Sequence, residues 1–96
     1  MTKQTITVYS KPTLGLHPGN AVRHEKFLEM FRQGKTDGRN EVFHRSQCDG
    51  QADRVVSMTV YKFWIDQAAA EEWRDFLVKI DKDYDQGLAD IIITDI

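Results

Sequence analysis

One cysteine, Cys48, leaves the chain with no internal disulfide and fits a reducing, cytoplasmic setting. The opening Met1-Thr2-Lys3-Gln4-Thr5 has no apolar stretch of the kind a secretory leader uses. Nor does any run approach the roughly 18 consecutive apolar residues a membrane span requires, so no membrane partner is expected. The net charge of −2 lacks the basic excess that phosphates reward, which argues against a nucleic-acid partner. The six glycines are isolated and none opens a helix in a phosphate-cradling pattern. His44 and Cys48, four apart on an extended segment, stand about 13 Å from each other. His17, His24 and His44 show no standard ligand spacing either, so neither a metal nor an organic cofactor is expected.

What remains is an ordinary globular composition, 41% hydrophobic and 29% charged, sized for one domain over residues 1–96. Residues 1–65 hold ten Lys/Arg against six Asp/Glu, giving +4, and residues 66–96 hold three against nine, giving −6. This asymmetry is either a solvated acidic helix face or a means of registering two subunits.

Thr5-Ile6-Thr7-Val8-Tyr9 alternates like a strand with two different faces. Residues 11–20 hold the chain's two prolines and two of its glycines, which precludes regular structure. A first helix is expected after Asn20, acting as N-cap, with Ala21, His24, Phe27, Leu28 and Phe31 on one stripe and Gly34 beyond its end. Glu41–Cys48 reads as a second, less apolar strand, near a sheet edge or with one face lining a polar space, and the Asp49-Gly50 turn joins it to a third over Arg54–Ile65. Asp66 caps a second helix, with an apolar stripe of Ala69, Trp73, Phe76, Leu77, Ile80 and Tyr84, ended by Gly87. Leu88–Ile96 is the last strand.

The order β-α-β-β-α-β predicts an α+β, ferredoxin-like sandwich: a four-stranded antiparallel sheet with two helices on one face. On the third strand Val56, Met58, Val60 and Trp64 suit packing under helices. The opposite face, with Val55, Tyr61, Phe63, Ile65 and Tyr9 from the first strand, would be left bare. A bare apolar face calls for cover, and a symmetric homodimer supplies it.

The segment Val60-Tyr-Lys-Phe-Trp-Ile-Asp-Gln-Ala-Ala-Ala-Glu-Glu-Trp73 resembles the dimeric α+β barrel superfamily, which includes antibiotic-biosynthesis monooxygenase-like proteins. The resemblance implies two sheets paired into a barrel and a ligand held between sheet and helices. Some members of that superfamily transform small organic molecules without a cofactor, and others have no known activity.

His24 is the first candidate catalytic residue. It is either a partly buried structural histidine or a general base or ligand-orienting group, since imidazole titrates near neutrality. Tyr9, Thr59 and Tyr61 are expected on one side of the sheet, as interface packing or as hydroxyls orienting a small ligand, and His17 is placed in a loop that gates the pocket mouth or is solvated. Tyr61 and Phe63 would permit base stacking, yet the glycine-rich RNA-contact motif is missing. Two functions stay open: a non-catalytic, small-ligand-binding homodimer, or a monooxygenase-like enzyme acting on an apolar or aromatic molecule beside His24.

Overall fold

β-branched residues and aromatics concentrate in four segments, and these form one sheet. The computed structural model describes residues 2–10, 17–47 and 54–96. Cys48, the turn at 49–53 and the connection at 11–16 lie outside the described residues, as do the side chains of 44–47 and 54–56. The elements are β1 (Lys3–Tyr9), α1 (Pro18–Arg32), β2 (Asn40–Gln47), β3 (Arg54–Trp64), α2 (Gln67–Tyr84) and β4 (Leu88–Asp95). The strand order is β2-β3-β1-β4, each neighbouring pair antiparallel. Both helices lie on one face, so the architecture is ferredoxin-like and β2 is an edge strand.

α2 starts where the sequence places its cap: the Asp66 carboxylate accepts from the Ala69 N–H at 2.8 Å. It ends at Asp85, which takes the left-handed conformation (φ 51°) two residues before Gly87. α1 differs from the expectation. It begins at Pro18 rather than after Asn20, and His17 is its N-cap, Nδ1 accepting from the Gly19 N–H at 3.1 Å. Proline is tolerated there because the first helical N–H has no intrahelical partner to lose. Gly34 follows the helix with φ 75°, as its position suggests.

The core is built from Phe27 and Met30 of α1, Trp64 of β3, and Ala69, Ala70, Trp73, Leu77 and Ile80 of α2. Phe27 meets Trp64 edge-on at 5.9 Å and Trp73 at 5.8 Å. Each such buried ring contributes about 1.5–3 kcal/mol. The inner face of α1 is therefore turned from the stripe read in the sequence: Phe27 and Met30 face the core, Ala21 and His24 are exposed, and Phe31 is 49% exposed.

β1 is inverted relative to its hydropathy. Thr5, Thr7 and Tyr9 are buried beneath the helices, while Ile6 and Val8 point to the open side. Bulky indoles explain this, because small threonines leave room for them and Thr5 Oγ1 accepts from Trp64 Nε1 at 3.0 Å. Tyr9 is thus not on the open face with Tyr61. It pairs with Met58, and cross-strand partners share a face. The open face carries Ile6, Val8, Phe43, Tyr61 and Ile92, with Phe43 56% and Ile92 48% exposed. Phe63, also on this side, is buried: the Arg39 guanidinium lies 3.7 Å above its ring.

Candidate functional site

α2 lies across β4, β1 and β3, whereas α1 rests on α2 and stands off the sheet. Under α1, toward β2, a cavity of about 480 Å³ opens. That volume is in the range of small-molecule sites. The apolar stripe of α1 supplies one wall through Phe27, Leu28 and Phe31, which accounts for Phe31 being half exposed in a helix that faces protein. Val42, Met58 and Val60 form the floor, and Trp73 closes the α2 side. The Trp73 indole N–H is buried with no hydrogen-bond partner among the described residues.

The charged groups of the cavity are of one sign. Lys62, Arg23 and His24 can carry positive charge, Tyr9 and Thr7 offer hydroxyls, and Asn20 and Asn40 offer amides. No Asp or Glu of the described residues lines it. Lys62 stands on the face of β3 that the helices cover, between Thr5 on β1 and Asn40 on β2. Its Nζ lies 3.8 Å from the centre of the Phe27 ring and 5.3 Å from that of Trp73. The ring faces attract the cation, but they do not neutralise it. Burial, helped by the like charge of Arg23, brings the Lys62 amine down to about 8. Arg23 donates to Asn20 Oδ1 at 3.1 Å and lies 4.9 Å over the Tyr9 ring. Burial raises the Tyr9 phenol above its ordinary value, against the opposing pull of Arg23.

Of the residues singled out from sequence, the fold brings Tyr9 and His24 to this cavity. Thr59 and Tyr61 are on the opposite side of the sheet, and Phe43 meets Tyr61 edge-on there at 5.4 Å. His17 is engaged in capping: its Nδ1 is also 3.1 Å from Gln86 Nε2, a side chain buried at the end of α2. A backbone N–H only donates, so Nδ1 is the acceptor and the ring proton sits on Nε2. Sequence reasoning missed Lys62 and Arg23. The available signal was the face of β3 assigned to the helices, which runs Val56, Met58, Val60, Trp64 and steps over a lysine at position 62.

The strand order and helix placement define a ferredoxin-like α+β protein. No protein-family model matches the chain, and no curated protein sequence matches it. Among solved structures it is similar to the de novo designed protein Foldit4, at 12% identity over 97% of this chain and 94% of that one, with a TM-score of 0.44. It is similar to an Arabidopsis thaliana protein at 9% identity over 100% of this chain and 93% of that one, TM-score 0.41. A hydantoinase/carbamoylase family amidase from Burkholderia ambifaria matches 99% of this chain with 27% of its own, at 11% identity and TM-score 0.45. Likenesses this distant carry no argument about function.

Proposed function

We propose that this chain is a small-molecule-binding protein of the dimeric α+β barrel kind, and that its cavity takes a small organic anion with an aromatic or apolar body. One observation carries the reading: two cations, Lys62 and Arg23, sit in an apolar cavity whose described walls hold no carboxylate. A buried charge without a counter-charge is costly, and an anionic ligand relieves that cost while its body covers Leu28 and Phe31. The homodimer pairs the open sheet faces and leaves the cavity, on the helix side, accessible.

Titration with 3-phenylpropionate, followed by amide chemical shifts, tests this. Perturbations are expected along α1 and β3, with the neutral alcohol 3-phenylpropanol binding more weakly. Arg23→Met is expected to weaken the acid about tenfold, or about 1.4 kcal/mol. Equal binding of acid and alcohol, or of neither, would sink the proposal. His24, exposed beside the cavity, favours a second reading as a cofactor-independent, monooxygenase-like enzyme. Chemical conversion of a bound compound in air, lost in His24→Ala, is the outcome that selects it.

A further inference from the structure

Anion binding alone does not explain why one of the two cations is a lysine held against aromatic rings. A lysine is a good anion partner when hydrated or bonded to the anion, and Arg23 already offers the forked geometry that suits a carboxylate. Lys62 has the opposite surroundings. It is on β3, between β1 and β2, with its position fixed by pairing on both sides. Phe27 and Trp73 remove water from its amine. The other charged or titratable groups lining the same cavity are Arg23 and His24 from α1 and Tyr9 from β1, and α2 and β2 add none among the described residues. Among the described residues no carboxylate there holds the amine protonated, and only the two ring faces favour its charged form.

We propose that Lys62 is an imine-forming amine: Nζ condenses reversibly with the carbonyl of a 2-oxo acid whose carboxylate rests on Arg23 and whose aromatic or branched side chain lies along Leu28 and Phe31. The proposal rests on the reading of the cavity as an anion site and names its ligand class. The neutral amine adds to the carbonyl carbon, forming the C–N bond while the π pair moves to oxygen. The proton left on nitrogen passes to that oxygen, giving a carbinolamine. A second protonation expels the hydroxyl as water, the nitrogen lone pair closes the C=N bond, and the proton still on nitrogen returns to the group that supplied the second one. One amine and one carbonyl give one imine and one water, with no change of oxidation state. The Tyr9 hydroxyl and the His24 imidazole, in the same cavity, are the groups placed to move these protons.

Lowered basicity serves this chemistry directly. With its amine at about 8, roughly one Lys62 in ten is neutral at pH 7, about 300-fold more than for a lysine of ordinary basicity. Arg23, permanently charged, keeps the carboxylate and leaves Lys62 to the carbonyl.

The experiment incubates the protein at pH 7 with phenylpyruvate and cyanoborohydride, then locates the reduced adduct by intact mass and peptide mapping. A single adduct on Lys62 is expected, absent in Lys62→Arg, which keeps the charge, and in Lys62→Met. Binding of 3-phenylpropionate is measured in parallel on all three proteins, with circular dichroism to confirm folding. Adducts scattered over surface lysines, or one that survives in Lys62→Arg, overturn the proposal. If 3-phenylpropionate binds and phenylpyruvate leaves no adduct, the imine is wrong and the anion site stands. If neither binds, both fail together.

Discussion

Lys62 ties the stability of the fold to the chemistry of its cavity, and pH separates the two. Below pH 8 the folded and unfolded chains both carry the charged amine, and the fold bears the full cost of desolvating it. Between pH 8 and the ordinary lysine value of 10.5, the folded chain sheds the proton while the unfolded chain keeps it. The unfolded state then binds more protons, so stability rises with pH. Tyr9 sets the upper limit. Its phenol is raised above 10.0, so at higher pH the unfolded tyrosine ionises first and stability falls again. Urea unfolding from pH 7 to pH 10 is expected to show a rise of about 2 kcal/mol that begins near pH 8. Lys62→Met is expected to be more stable than the wild type at pH 7 and flat across that window. A wild-type profile already flat between pH 8 and pH 10 would show that the amine is not desolvated. Why the sequence hid this residue is plain at the same scale. Flanked by Tyr61, Phe63 and Trp64, a lysine reads as the polar position of an alternating strand, although it shares the face of Met58 and Val60 that the sequence assigns to the helices, and the pairing of β3 with β1 shows that side to be the covered one.

Elements were legible where a local signal and the tertiary contacts agree. Asp66 caps α2 and its Ala69, Trp73, Leu77 and Ile80 are buried, because one apolar stripe meets one sheet. α1 has apolar residues facing two places, the core through Phe27 and Met30 and the cavity through Leu28 and Phe31, so a single stripe misjudges its rotation. Its start was misplaced for a related reason. Asn20 is a good cap by type, but the deciding contact is distant in sequence: Gln86 reaches His17, and Gly19 is packed beneath it. A Cβ on Gly19 would lie 2.2 Å from Gln86 Nε2 and 2.9 Å from Tyr84 Cβ. Gly19→Ala therefore has to displace Gln86, loosening its contact with the cap. It is expected to cost about 1–3 kcal/mol in equilibrium unfolding, with the change in amide exchange concentrated at the start of α1 and the end of α2. Helix propensity alone would make alanine the better residue. A stabilised Gly19→Ala protein would thus show that the close approach of the two helix ends is not a constraint.

At the scale of the whole molecule, the sheet is apolar on both sides, and the helices can cover only one. The inverted β1 makes this plain, since Ile6 and Val8 face outward while threonines fill the core. With Phe43, Tyr61 and Ile92 they form a continuous surface, for Ile6 pairs with both Tyr61 and Ile92. The sequence announced an apolar open face correctly but misassigned part of its membership: Tyr9 points the other way, and Phe63 is roofed by Arg39. These differences come from strand register and from a loop side chain, neither of which alternation alone encodes. A chain of 96 residues buries roughly 60–65% of the surface its unfolded form exposes, less than larger domains do, so covering this face would add appreciably to its stability. Sedimentation of the wild type at micromolar concentration is expected to give a species of two chains. Phe43→Lys places a charge in the middle of the paired face while removing little from the single chain, where the ring is already more than half exposed. It is expected to sediment as one chain with unchanged secondary structure, and to bind 3-phenylpropionate as before, because the cavity lies across the sheet from residue 43. A wild type that stays a single chain would remove the pairing. A Phe43→Lys protein that dissociates and also loses the ligand would show instead that the second copy completes the cavity.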